Sequence, residues 1–307
     1  MPSFTIDVIG SGFVGQATGK GFLSKGHRVR FADVDQEKLT YLQGQGLAAF
    51  TPEELAEQPE RAQISVLTVN TPTRGGAIDL TAIRRAAADL GQRLAGEEAY
   101  HVVVVRSTVV PGTTEELTKI IEEYSGKRVG KDFGICMNPE FLRERVAEQD
   151  FAHPWLILIG EYDTRSGDTL ARVYADFDCP VHRVSLREAE FQKYVHNLFN
   201  AVKITFFNEM REIARSQGFK ADDVFALVAK SAEGMWNPEY GIRDFGPFDG
   251  SCLPKDTQAF LAWAEQQGKA ASLVAATIAL NDELTLRATQ PKQVSKRVAR
   301  AVGAVAS

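Results

Sequence analysis

The stretch FDGSCLPKD, Phe248 to Asp256, sets a cysteine among small residues with Pro254, Lys255 and Asp256 directly behind it. A polar, glycine-bearing loop gives a thiol little to pack against, so Cys252 reads either as a small buried side chain or as a nucleophile able to add to a carbonyl. Lys193 and Asn197 lie four residues apart and share one face of any helix that carries them. Taken alone they read as a solvated surface pair. The other two cysteines, Cys136 and Cys179, read as buried hydrophobes. Three widely spaced thiols with no CxxC argue against a disulfide framework and a zinc knuckle, so no metal is expected.

A second signal is GSGFVG, with Gly10, Gly12 and Gly15, which directly follows an apolar run and heads a helical pattern. The first glycine permits a tight turn, the second lets the backbone approach a pyrophosphate, and the third allows close helix–strand packing, with the phosphates over the helix N-terminus. Asp33 ends the next apolar run, RVRFAD, where a carboxylate accepts hydrogen bonds from the adenine ribose and repels a 2′-phosphate. This predicts NAD rather than NADP. Two more run ends carry small polar residues, Thr71-Pro72-Thr73 and Ser107-Thr108. In an open α/β sheet such loops border the ligand. By itself Thr108 reads more readily as a turn or helix cap.

The elements that must position these residues follow from periodicity. The runs FTIDVIG, RVRFAD, ISVLTVN, YHVVVVRS, FGICMN, LILIG and PVHRV alternate with helical patterns, which predicts an α/β fold with a Rossmann-type parallel sheet over residues 1–184. From about Ser185 the period becomes helical, with apolar residues at 191, 194, 195, 198, 199, 202, 206, 210 and 213 and Gly218 closing the run. Further helices are predicted over 221–232, 256–267 and 270–289, giving an all-helical domain over 185–289 that carries the cysteine loop. The basic tail, 290–307, reads as a solvated end. With 307 residues, 44% hydrophobic and 24% charged, the composition is that of a globular protein, and a net charge of -5 leaves no footprint for nucleic acid. No apolar run approaches the ~18–20 residues of a membrane span. MPSFTIDVIG lacks a basic n-region and carries Asp7 inside its apolar stretch, unlike a signal peptide. A cytoplasmic protein with reduced thiols is expected.

Taken in order, GSGFVG, NTPT, RSTVVPGTT, NPEFLRE and GSCLPKD resemble the UDP-glucose/GDP-mannose dehydrogenase family, from about Phe4 to Thr289. NPEFLRE and CLPKD are specific, whereas the glycine motif is shared by many folds. The resemblance implies NAD-dependent oxidation of the C6 primary alcohol of a nucleotide sugar to a carboxylate in two hydride transfers. It implies Cys252 as the nucleophile that forms a thiohemiacetal and then a thioester, with Asp256 positioning water and acting with Thr108 in proton transfer. Lys193 and Asn197 would stabilise oxyanions, and Glu140 would assist thioester formation and hydrolysis. Lys255 and a helix N-terminus would raise the thiolate fraction at Cys252.

The same resemblance implies cofactor contacts at Gly10, Gly12, Phe13, Val14, Gly15, Asp33, Lys38, Thr71, Pro72, Thr108 and Lys255. It implies sugar-nucleotide contacts at Phe141, Leu142, Glu144, Arg243, Phe248 and Gly250. A homodimer through the central helices is expected, because 270–289 presents Leu273, Val274, Ala276, Ile278, Leu280 and Leu284 on broad faces. The chain departs from the family pattern at Asp249, where a glycine is usual beside the nucleophile, at Arg145, and at Trp155. Members also continue into a third, nucleotide-closing domain, which this sequence does not extend to include. Two other readings stay open: a two-electron β-hydroxyacid-type dehydrogenase, which would also pair a Rossmann domain with a Lys-x-x-x-Asn helix, and a non-catalytic protein that keeps the cofactor fold.

Overall fold

The computed structural model describes residues 3–243, 246–250 and 252–289, so the basic tail lies outside the described residues. Strands form at β1 (Thr5–Ile9), β2 (Arg28–Ala32), β3 (Ala49–Phe50), β4 (Ile64–Leu67), β5 (Thr73–Arg74), β6 (Ala77–Ile78), β7 (His101–Val105), β8 (Phe133–Met137), β9 (Ile157–Glu161) and β10 (Val181–Ser185). The helices between them are α1 (Phe13–Ser24), α2 (Gln36–Gly44), α3 (Pro52–Ala56), α4 (Thr81–Ala95), α5 (Thr113–Ser125), α6 (Ala147–Ala152) and α7 (Thr164–Val173). After β10 come α8 (Leu186–Ser216), α9 (Ala221–Ser231), α10 (Glu233–Trp236), α11 (Leu253–Gln266) and α12 (Ser272–Thr289). The chain divides into two compact units between Asn197 and Leu198, inside α8.

In the first unit the main sheet runs β10-β9-β8-β7-β4-β1-β2-β3, while β5 and β6 pair as a separate hairpin. The run HVVVV shows why the strands form: Val102 and Val104 join one apolar cluster, Val103 and Val105 the other, so both sheet faces are covered. Each fully buried Val, Leu, Ile or Phe side chain contributes about 1.5–3 kcal/mol. The strand order reverses between β1 and β4, and the crevice outside the carboxyl ends of the strands at that point is where such sheets bind ligands. One junction corrects the expectation of a parallel sheet: β9 pairs antiparallel with β8, Cys136 opposite Glu161 and Met137 opposite Gly160. The connection from β8 carries only a short 3-10 turn and α6, and it does not make the helical crossover that returns a chain parallel.

α8 begins directly after β10 and, at 31 residues, is about 46 Å long. Its buried positions in the first unit, Leu186, Ala189, Glu190 and Lys193, repeat at helical spacing. Gly160 lets the helix come close, since a Cβ there would stand 2.6 Å from the Ala189 Cβ.

The second unit has a small core of Ile213, Ala264 and Ala271, with Met210, Phe260, Leu261, Trp263 and Val274 packed against it. Two helix starts differ from the sequence reading. α11 begins at Leu253 rather than 256, because Pro254 is tolerated in a first turn, and α12 begins at Ser272 rather than 270. Among the described residues no helix is long and apolar enough to cross a membrane.

Candidate active site

The turn after β1 is built from its glycines. Gly10 has φ +99, and a Cβ there would meet Val69 N at 2.7 Å, so only glycine lets β1 turn this close to the end of β4. A Cβ on Gly15 would stand 1.9 Å from the Gly10 carbonyl oxygen. Gly12 differs: nothing lies within 4 Å of its Cβ position, which leaves an open cradle in front of α1. Phe13 and Val14 open that helix, whose N-cap Gly12 supplies no side-chain cap and whose first turn holds no acidic residue. The first N–H groups of α1 are therefore available to an anion. Asp33 is buried, accepts from Ser11 N at 2.5 Å and Asp35 N at 3.0 Å, and lies 3.5 Å from Lys38 Nζ. This cradle and carboxylate fit a dinucleotide with a free adenine ribose.

The loops after β4 and β7 are tied together. Thr71 Oγ1 donates to the Thr108 carbonyl at 2.7 Å, and Ser107 Oγ donates to the Val69 carbonyl at 2.7 Å. Pro72 and the Thr108 side chain are half-buried beside them. The loop after β8 brings Glu140 to Lys193 on α8. Nζ stands 2.8 Å from Glu140 Oε1 and also donates to the Glu140 carbonyl, with side chains only 6% and 12% exposed. Glu140 Oε2 accepts from Leu142 N at 2.6 Å, which folds the NPEF loop back on itself. Phe141 packs on the His196 ring with centroids 4.9 Å apart, and Lys193 Nζ lies 5.5 Å from the Phe141 centroid. Burial, and after it the Lys193 charge, pushes the His196 imidazole below its ordinary value. Asn197 follows one turn after Lys193 and is exposed.

Glu144 opens the 3-10 turn Glu144–Val146. Arg145 is exposed, and Trp155 is exposed with the Arg143 guanidinium 5.3 Å from its ring centroid.

Cys252 is exposed and occupies the N-cap of α11, with Lys255 and Asp256 in the first turn, 3.2 Å apart. The loop before it is clamped to α12. Phe248 N donates to Asn281 Oδ1 at 2.8 Å, and Asn281 Nδ2 donates to the Phe248 carbonyl at 3.0 Å. Gly250 turns at φ +89, and its N–H is taken by Asp249 Oδ1 at 2.6 Å. Arg243 is exposed and pairs with Glu239 at 2.8 Å. Of the other thiols Cys136 is buried, which pushes it up to about 12, whereas Cys179, expected to be buried, is only half-buried, and its partial burial raises it. Among the described residues no cluster of His, Cys, Asp and Glu is arranged to hold a metal.

Sequence reading missed Glu190, His196 and Asn281. The first two share a helical face or turn with Lys193, so spacing could have raised them. Asn281 lies 33 residues from its partner and leaves no local signal.

The chain is 35% identical over 274 residues to the GDP-mannose 6-dehydrogenase of Azotobacter vinelandii, an alignment covering 83% of this chain and 63% of that protein. It is 36% identical over 304 residues to the UDP-glucose 6-dehydrogenase of Haloferax volcanii, covering 90% and 69%. A ternary complex of GDP-mannose dehydrogenase from Pseudomonas aeruginosa superposes with a TM-score of 0.85 at 30% identity, covering 92% of this chain and 69% of that one. The chain thus spans less than two thirds of the length of the Azotobacter protein. Residues 4–178 match the NAD binding domain of the UDP-glucose/GDP-mannose dehydrogenase family and residues 187–283 its central domain, and the chain belongs to that family.

Proposed function

We propose that the protein is an NAD-dependent nucleotide-sugar dehydrogenase that takes a C6 primary alcohol to a carboxylate through Cys252. The observation that carries this reading is the buried Lys193–Glu140 pair at the end of β8, on the sheet edge that also holds the glycine turn and Asp33. NAD, when bound, would supply the hydride acceptor, one molecule for each of the two hydrides. Loss of hydride and the hydroxyl proton turns the alcohol into an aldehyde, which has no second hydride to give until a nucleophile adds to its carbonyl. Addition of Cys252 Sγ gives a thiohemiacetal. Loss of a second hydride and its hydroxyl proton leaves a thioester, and water releases the carboxylate and restores the thiol. Lys193 and Asn197 are assigned to the developing oxyanions, Asp256 to the water with Thr108 in proton transfer, and Glu140 to the thioester steps.

The substrate contacts are assigned to Phe141, Leu142, Glu144, Arg243, Phe248 and Gly250, with Lys255 assigned to the cofactor. GDP-mannose and UDP-glucose are the first substrates to test, because relatives bear those names. NADH formation followed by absorbance tests the reading. NADH with a carboxylate product supports it, an aldehyde or ketone product selects the two-electron reading, and NAD binding with no turnover on any nucleotide sugar selects the binding-protein reading.

A homodimer belongs to the same proposal. Leu198, Phe199, Val202, Leu227, Leu280 and Leu286 of the second unit are 55–66% exposed, more apolar surface than solvated helices keep. Sedimentation as a monomer at micromolar concentration would contradict it. The reaction needs a reduced Cys252, which fits a cytoplasmic location.

A further inference from the structure

We propose that Glu190 is the positioning residue that sets the register of Lys193 against the Thr108 loop. This rests on the activity proposed above. Glu190 is fully buried, and its hydrogen bonds among the described residues go to one helix end: Oε2 accepts from Gly112 N at 2.5 Å, and Oε1 accepts from Thr114 N and Thr114 Oγ1, each at 2.7 Å. The N-cap of α5 is Gly112, with φ +97 and no side chain to cap the helix, so the cap comes from α8 instead. A buried carboxylate is costly to desolvate, and an apolar residue would bury more easily here. What the carboxylate adds is direction, because charge-assisted hydrogen bonds hold the two helices at one angle and one register.

The consequence runs along the strand-end loops. α5 is reached from Thr108 through Val109-Val110-Pro111-Gly112, and the Thr108 carbonyl is itself held by Thr71. One helical turn beyond Glu190, Lys193 is held by Glu140 after β8. A single turn of α8 thus fastens two separate loops, one through each of these side chains. Glu190 also takes the N–H groups of Gly112 and Thr114 at the start of α5, whereas α1 carries no side-chain cap.

Two variants of the full chain test the proposal, Glu190→Ala and Glu190→Gln. Gln keeps one acceptor for Thr114 but turns an amide N–H2 toward Gly112 N–H, so it should lie between wild type and Ala. Assayed well below the unfolding temperature, Glu190→Ala should lower kcat by about 100-fold, the scale expected for misplaced reacting groups, and leave KM for NAD nearly unchanged. A brace with no positioning role would lower Tm and leave kcat per folded molecule intact, and that result overturns the proposal. A readout free of turnover separates the proposal from the activity. Acetylation of Lys193, measured by mass spectrometry against exposed Lys131, should be slow in wild type and several-fold faster in both variants. If wild type oxidises no nucleotide sugar, the activity reading fails and the labelling alone decides: unchanged Lys193 labelling in both variants overturns the positioning role, and faster labelling upholds it.

Discussion

Removing one half of the Lys193–Glu140 pair should cost more than removing both. The two side chains are 6% and 12% exposed, and the ammonium makes its contacts with the Glu140 carboxylate at 2.8 Å and with the Glu140 carbonyl. Glu140→Gln leaves a cation buried beside a neutral amide, and breaking a buried pair in this way costs about 3–5 kcal/mol. For a unit of this size that is roughly a 10 °C fall in Tm. Lys193→Met should cost less, because the carboxylate it strands is the more exposed partner and still accepts from Leu142 N. The double variant should regain most of the loss, short of about 1 kcal/mol for the Glu140 carbonyl that no longer has its donor. Differential scanning calorimetry of the four proteins measures the cycle, and NADH formation is followed in parallel. All three variants should be inactive, so recovered stability without recovered turnover separates folding from chemistry. A Glu140→Gln protein as stable as wild type, or a double variant no more stable than Glu140→Gln, would refute the account of this pair.

Asp33→Asn should weaken NAD binding by about 10–100-fold, the worth of a charge-assisted hydrogen bond, and narrow the preference over NADP in a fluorescence titration; equal affinities for NAD and NADP in the wild type would contradict the assignment. Burial pushes His101 down to about 4 from its ordinary 6.5, with Ala62 O and Ser65 Oγ each 3.0 Å from its ring nitrogens. Between those values the unfolded state binds the extra proton, so stability present above pH 6.5 falls by about 3 kcal/mol toward pH 4. Denaturant titrations across that range should show a shallower acid loss in His101→Gln, and an identical slope would rule out this histidine as the cause. Iodoacetamide should modify Cys252 first, then half-buried Cys179, and Cys136 only after unfolding; early modification of Cys136 would contradict its burial.

The parts of the molecule governed by local sterics could be read in advance. GSGFVG was legible because Gly10 and Gly15 each answer to a contact within a few ångströms while Gly12 leaves open space before the helix, and HVVVV because a strand covered on both faces must be apolar throughout. The antiparallel turn from β8 to β9 was not legible, since strand direction depends on how a connection packs and apolar runs carry no sign of it. Asp7 looked out of place inside β1. It is buried with Arg30 at 2.7 Å and Arg93 at 3.0 Å, partners 23 and 86 residues away. Glu190 escaped notice for the same reason, as its hydrogen bonds span 76 and 78 residues. The chemistry proposed at Cys252 rests on GSCLPKD and NPEFLRE occurring together in one order. Its loop, clamped by Asn281 and opened by Gly250, shows how the thiol comes to stand at a helix N-terminus.

The central claim is covalent, four-electron oxidation at Cys252, and the most direct test is the stoichiometry of a limiting nucleotide sugar with the trapped enzyme analysed by mass spectrometry. The account predicts two NADH for each carboxylate formed, and a substrate adduct on Cys252 that is absent from Cys136 and Cys179 and from the Cys252→Ala enzyme. Complete oxidation to the carboxylate by Cys252→Ala, or one NADH per sugar with a free aldehyde from the wild type, would contradict it.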